Sequence, residues 1–427
     1  IAAGRYGDRI VAIGIDTWGV DFGLLDAQGR LLGMVHQYRD PRHEGMPEVM
    51  HGLMPEAEIY RHTGITTNFY NSSLQLIAEK QRRSPALAHA EQLLFVPDLL
   101  GYWLSGRKAV ERTIASTSQL VDPATGDWAW EVIDALGLPR KIFGEIVAPG
   151  TVLGPLREEV RRVTGLGEVP VVASACHDTA SAVAGIPMEG ENQPWLSSGT
   201  WSIMGLEIRE PIRGKEAFDA RCCNELGVDG TVRFLKNISG LWLLQECRRQ
   251  WALEGEELSY AEMTRLADES EPFTAFIDPD DPAFAAPGDM PARIRDYCKR
   301  SGQPVPESKG AVLRVATESL ALKYRVTLES FRKLSGKDFD RLHVGGGGIQ
   351  NTSLVQATAD ACGVEVVAGP VEATSCGNLI VQMMATGTLP DLATGRRLIR
   401  DSFEFTTYTP RDPGAWNQAA ERFEAVF

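Results

Sequence analysis

Residues 341–356 read RLHVGGGGIQNTSLVQ, and this stretch decides the fold class. "RLHV" suits a short strand, four glycines follow, and "NTSLVQATADAC" suits a helix. That order exposes backbone N–H groups to a nucleotide or phosphate, and the missing Cβ atoms let a flat ring approach. A plain strand-to-helix turn is the other reading, although four consecutive glycines lose much chain entropy on ordering. Neither common glycine loop is present. No GxxxxGK[ST] occurs, and Asn351 stands where the last glycine of GxGxxG would fall in the register starting at Gly346.

Outward from this stretch, strands and helices alternate in both directions. "PWLSSGTWSIMGLEI" (194–208) reads as a hairpin turning at Ser198 and Gly199, "TVRFLKN" as a strand, and "GLWLLQECRRQWALEG" as a helix. A helix is predicted over 311–334, stopped by "SGK", and "VEVVAG" is a strand before a final helix through "TSCGNLIVQMMATG". Residues 268–310, rich in Asp, Pro and Gly, read as a long surface connection or the base of a lid. In the first half, "IVAIGI" (10–15) reads as a buried strand, and "VDFGLLDAQGRLLG" as two strands joined at "DAQG". Residues 56–147 read as largely helical, including "SSLQLIAEKQRR" and "LLFVPDLLGYWLSG" with its glycine stop. A strand at 169–174 leads to a helix that begins near Asp178 and ends around "GIPMEG", which sets a domain boundary near 188. The whole reads as α/β, with mixed sheets flanked by helices.

The 427-residue length is too long for one ordinary core at about 150 residues per domain, so two domains are expected. A net charge of −14 argues against a phosphate-backbone binder, so no nucleic-acid partner is expected and any anionic ligand must be held locally. The seven cysteines form no CxxC pair and no zinc spacing, a pattern that suits a reducing cytoplasm. No run of about 18 apolar residues offers a membrane span, and the opening residues lack signal-peptide character. Oligomeric state and metal ligands leave no legible mark.

Several short segments could carry chemistry. In "ASACHDTASAVAG" (173–185), Asp178 is a lone acid among small residues. It fits a helix N-cap or, with room cleared around it, a base that takes a proton from a substrate. "GIDTWGVDF" (14–22) sets Asp16, Trp18 and Gly19 at a strand end, where a ring face beside a carboxylate suits a sugar; a core anchor and a turn residue are the rival reading. "LSSGTWS" (196–202) could donate to phosphate oxygens or be a plain hairpin. "RFLKNISGLW" (233–242) puts Lys236 and Asn237 between strand and helix, where ligands and caps both occur. No nucleophile elbow, HExxH helix or protein-kinase motif set is present.

Taken in order, "GIDTWGVDFGLLD", "HDTASAV", "LSSGTWSIMG", "LKNISGLWLLQE", "HVGGGGIQN" and "GPVEATSCGN" resemble the FGGY family of carbohydrate kinases, over nearly all of the chain. The resemblance implies a two-domain actin-like ATPase fold of the ribonuclease H type, with the active site in the interdomain cleft. Residues 1–188 would be the sugar-binding domain and 189–427 the nucleotide-binding domain. It implies transfer of the γ-phosphoryl of ATP, with Mg²⁺, to the 1-hydroxyl of L-rhamnulose; another ketose, such as L-fuculose or D-xylulose, or a polyol is the alternative within the family. Asp178 matches the proton acceptor. His177, Thr179, Gly19 and Asn237 match sugar contacts, alongside Trp18 and Asp16 from the residue reading. Thr200, Gln245, Gly346 and Gly347 match the nucleotide side. A non-catalytic nucleotide-binding protein of the same fold is the rival from another class, and the presence of Asp178 argues against it. Relatives begin with a strand hairpin bearing an Asp-x-Gly phosphate loop that ends in Ser-Gly-Arg. Residues 1–13 match none of it, so the first strands are expected to be missing and a polypeptide starting at Ile1 to be inactive or insoluble.

Overall fold

The computed structural model describes residues 2–189 and 193–426; Ile1 and Gly190, the last residue of "GIPMEG", lie outside them. The chain forms two compact units, each assembled from separate stretches. The first comprises Ile1–Pro187, Glu207–Leu235 and Ala373–Asp401; the second comprises Met188–Leu206, Lys236–Glu372 and Ser402–Phe427.

In the first unit, the strand Ile13–Gly14 pairs in parallel with Pro170–Ala173, which pairs antiparallel with Thr151–Pro155. "IVAIGI" is therefore a two-residue, half-buried edge strand rather than a long buried one, because among the described residues it has a partner on one side only. Phe22–Leu25 follows and pairs with Gln92–Phe95, so "LLF" is strand and the helix Val96–Ser105 starts only at Val96. The strand expected after "DAQG" shrinks to a bridge between Leu25 and Leu31, because Asp26 spends its carboxylate on the turn, accepting from the N–H groups of Gln28 and Arg30. Ser72–Gln81 is a helix whose first seven residues are all buried, with Leu74, Leu76 and Ile77 in the main core. The helix Asp178–Gly185 packs against Ala373–Ala385, and the strands Cys223–Leu226 and Val232–Ser239 pair over Leu226–Val232 to Cys223–Leu235.

The second unit is built on a sheet. Pro194–Ser198 pairs antiparallel with Trp201–Ile208 and parallel with Arg341–Gly345; Glu365–Ala368 and Thr406–Tyr408 extend it outward. Ser198 faces Ser202 in register, so the hairpin turns through Gly199, Thr200 and Trp201 rather than at Ser198 and Gly199. The helix Lys309–Ser335 packs between Tyr260–Asp268 and Thr352–Cys362, starting at a Ser308 cap and ending at Gly336 with φ 68°. Ala373–Ala385 is not the final helix: Leu392–Ser402 and Pro413–Glu424 follow it.

The 268–310 expectation fails most clearly. The segment holds a helix, Met290–Arg300, and fully buries Phe276, Ile277, Phe284 and Ile294. Its Asp and Pro residues, read as loop markers, start helices instead: Asp289 accepts from Ala292 N–H, and Pro291 sits in the first turn. Gln303 then holds Phe276 by both its backbone groups.

None of the seven cysteines forms a disulfide, and all are buried. Burial pushes the Cys176, Cys223 and Cys247 thiols up, Cys298 to about 11 and Cys362 to about 12. Because the thiolate is the reactive form, no thiol should react promptly with Ellman's reagent at pH 8 in the native protein, and all seven should do so in denaturant. A fast-reacting native thiol would contradict this burial. Among the described residues, no helix is long and apolar enough to cross a membrane.

Candidate active site

The first unit zips two strand ends together. Thr17 N–H donates to Cys176 O and Asp178 N–H to Thr17 O, both at 2.9 Å, and Ser174 Oγ donates to Ile15 O. This lays the Asp16 loop beside the turn that carries His177, Asp178 and Thr179. A buried carboxylate that sequence reading missed holds the same turn from behind. Glu111, 0% exposed, accepts from the N–H groups of Thr113, Ile114 and Cys176 and from Thr113 Oγ1, which in turn accepts from His177 N–H.

Asp178 is not the N-cap but the first helical residue; His177 occupies the cap with extended backbone and no side-chain capping bond. The Asp178 carboxylate is half-exposed, and its two oxygens differ. Oδ1 accepts from Thr179 N–H and Thr179 Oγ1 and lies 3.3 Å from His177 Nε2. Oδ2 has no donor among the described residues, which leaves a fixed carboxylate with one oxygen open to a ligand.

Asp16 accepts from Asn378 Nδ2, whose own oxygen accepts from Gln382. Burial raises the Asp16 carboxyl above its ordinary value, the Asn378 bond lowers it, and the Asp178 charge raises it further. A carboxyl whose folded value is raised costs stability once ionised. The cost is absent below the ordinary value of 3.8, grows as pH rises towards the folded value, and stays complete above it. Asp16→Asn should therefore melt above wild type at pH 7 and match it near pH 4, while losing activity. Equal melting temperatures at both pH values would contradict this.

Trp18 is 46% exposed, and its Nε1 donates to Asp21 Oδ2 at 2.8 Å, so the indole is tethered at one edge and open on the surface. It is no core anchor. A Cβ on Gly19 would sit 3.0 Å from Thr117. Val20 takes φ 69°, a strained choice for a β-branched residue, held by Thr117 Oγ1, Ser72 Oγ and Gln75 Nε2. Asn237 belongs to the second unit, half-buried in the strand Val232–Ser239.

In the second unit, Thr200, Gln245 and Gly347 line one cavity of about 540 Å³, with Leu244, Met263 and Leu313 supplying apolar wall. The glycines of 345–348 divide by cause. Gly346 has φ 92° and a Cβ there would meet Ser198 O at 2.8 Å, while one at Gly348 would collide with the Ser198 side chain. Gly347 has open space around its missing Cβ, so no protein contact demands glycine there. A bare backbone facing an apolar-walled cavity suits a flat ring with a phosphate tail.

The profile of the FGGY family of carbohydrate kinases, N-terminal domain, matches residues 5–185, and that of its C-terminal domain matches 195–386. The chain belongs to the FGGY family of carbohydrate kinases. It is thus a carbohydrate kinase with ATP as the phosphoryl donor. This FGGY kinase is 47% identical to the rhamnulokinase of Bacteroides thetaiotaomicron, an alignment covering 98% of this chain and 85% of that one. The rhamnulokinase of Enterococcus faecalis is 42% identical, with 93% and 79% covered. A ligand-bound xylulose kinase from Lactobacillus acidophilus superposes with TM-score 0.79 at 15% identity, covering 97% of this chain and 82% of that one. Plasmodium falciparum glycerol kinase with ADP gives 0.78 at 16%, covering 97% and 83%. Those likenesses show the fold, the two-domain actin-like architecture that the six segments implied.

Of the residues around the FGGY kinase turn, sequence reading missed Glu111 and the buried pair Glu225 and Arg233, in which Arg233 Nη2 lies 2.9 Å from Glu225 Oε2 and 3.1 Å from His177 Nδ1. Their signal is burial of charge, which no one-dimensional pattern carries. Asn378 had a signal, since it ends the quoted "GPVEATSCGN".

Proposed function

We propose that this chain transfers the γ-phosphoryl group of ATP to the 1-hydroxyl of L-rhamnulose, giving L-rhamnulose 1-phosphate and ADP. The observation carrying this reading is 47% identity, over nearly the whole chain, to a curated rhamnulokinase. Asp178 is the base: with Oδ1 occupied, Oδ2 accepts the hydroxyl proton as the oxygen attacks phosphorus. Gly19, Trp18, Asp16, His177, Thr179 and Asn237 contact the sugar, and the indole offers its face to sugar C–H groups. Thr200, Gln245, Gly346 and Gly347 contact the nucleotide. Sugar binding thus falls to residues 1–188, apart from Asn237, and nucleotide binding to 189–427.

Among the described residues no three His, Cys, Asp or Glu side chains cluster as a metal cage. Mg²⁺ does not need one, since it rides on nucleotide phosphates with one or two carboxylates. Asp16, whose carboxyl is raised by burial and by the nearby Asp178 charge, is the donor that fits it. When bound it neutralises charge on the transferring phosphoryl group. The free, buried cysteines support a reducing, cytoplasmic setting.

A coupled ADP-release assay of the full-length protein on L-rhamnulose, L-fuculose, D-xylulose and glycerol tests the proposal. L-rhamnulose should give by far the highest kcat/KM. An equal or better rate on another substrate would overturn the sugar assignment.

A further inference from the structure

Val20 sits at φ 69°, and Asp21 N–H donates to Gly19 O at 2.9 Å, so the chain reverses through a γ-turn of the rare, strained kind. A β-branched residue resists this backbone, and three side chains hold it there. Thr117 Oγ1 accepts from Val20 N–H, while Ser72 Oγ and Gln75 Nε2 donate to Val20 O. The reversal brings Trp18 onto Asp21. Trp18 Nε1 donates to Asp21 Oδ2 at 2.8 Å, and Gln75 Nε2 donates to Oδ1 at 3.3 Å. Trp18 is 46% exposed and Asp21 only 1%, so a buried carboxylate holds one edge of an open indole.

The donors and acceptors behind this contact run in one direction. The buried Arg42 guanidinium, which has only donors, gives Nη1 to Glu79 Oε1 at 3.1 Å and Nη2 to Gln75 Oε1 at 2.9 Å. With Oε1 so engaged, the Gln75 amide turns Nε2 towards Val20 and Asp21. The indole N–H is a donor too, so both groups facing Asp21 call for an acceptor, which a carboxylate supplies on each oxygen. We infer that Asp21, faced by the Arg42–Gln75 relay, is a positioning residue that clamps the Trp18 indole by its edge and so fixes the ring face for the C–H groups of the sugar. The consequence rests on Trp18 contacting the sugar, as proposed above. An open indole without the clamp turns about its side-chain torsions, and the sugar must then order it on binding. The clamp therefore acts on sugar affinity and not on phosphoryl transfer.

Spectra of the intact protein with ¹⁵N-labelled tryptophan read the indole N–H directly, and the Trp18 signal is assigned by its loss in Trp18→Phe. Asp21→Leu removes the acceptor at similar size. Gln75 Nε2 keeps Val20 O and Tyr70 O as acceptors, and the freed indole N–H can turn to water. In wild type the Trp18 N–H should exchange slowly with water although its ring is open; in Asp21→Leu it should exchange at least about tenfold faster. KM for L-rhamnulose should rise about tenfold in that variant, with kcat and KM for ATP within about twofold of wild type. Trp18→Phe, which keeps a ring face but has no N–H to hold, should raise the same KM, and adding Asp21→Leu to it should change KM by less than about twofold. A merely structural role would lower kcat or stability alike in both backgrounds. An unchanged Trp18 signal in Asp21→Leu would overturn the clamp, and so would a rise of KM that persists in full in the Trp18→Phe background. The sugar contact fails separately, if Trp18→Ala keeps the wild-type KM for L-rhamnulose. If Trp18→Ala raises KM while Trp18→Phe and Asp21→Leu leave it unchanged, the contact stands and the clamp falls.

Discussion

Asp178→Asn should lower kcat by about 10²- to 10⁴-fold, the typical contribution of a positioned base. ATP affinity should scarcely change, because Thr200, Gln245 and Gly347 line their cavity within the second unit and Asp178 lies in the first. Asparagine preserves the shape of the side chain. Its carbonyl oxygen can still accept from Thr179 N–H and Thr179 Oγ1, so the Asp178–Gly185 helix keeps its first-turn contacts. What is lost is the second anionic oxygen, the one without a donor among the described residues. Single-turnover phosphoryl transfer and an ATP-binding titration on the same sample separate the two quantities. A rate within a few fold of wild type would remove Asp178 as the base and leave the site to another acceptor.

Gly377→Ala should be the most damaging small substitution in the first unit. A Cβ at Gly377 would lie 1.7 Å from Ser181 O, and one at Gly185 would lie 2.1 Å from Ala373 O. The helices Asp178–Gly185 and Ala373–Ala385 thus touch backbone to backbone, and no rotamer relieves a clash with a carbonyl. Forcing them apart should cost about 1–3 kcal/mol or more. The damage should also reach the chemistry. Asn378, the next residue, donates to Asp16, while the partner helix begins with Asp178. Urea unfolding and kcat should therefore fall together. Wild-type values for both would refute the close-packed crossing.

Both substitutions act at segments that were quoted from the sequence, but the two were legible to different degrees. The strand–glycine–helix order at 341–356 and the six ordered segments identified the fold, because strand ends and helix starts have local chemistry: alternation, glycine freedom and caps. The 268–310 stretch was misread for the same local reason. Asp289 and Pro291 are equally good loop residues and helix starters, and only packing around Phe276 and Phe284 chose between them. Likewise Asp178 was legible as an acid at a strand end, whereas its place as first helical residue, with one oxygen engaged and one open, came from Thr179 and His177 folding onto it.

The sequence by itself determined the class of architecture, the family and the short segments that carry the chemistry, since each is a pattern within a few consecutive residues. Tertiary structure decided which distant polar side chains support those segments. Glu111, Glu225, Arg233 and Asn378 lie tens to hundreds of residues from His177 or Asp16, and each matters only because it is removed from water beside them. Burial is a property of the assembled chain, so no window of sequence can announce it.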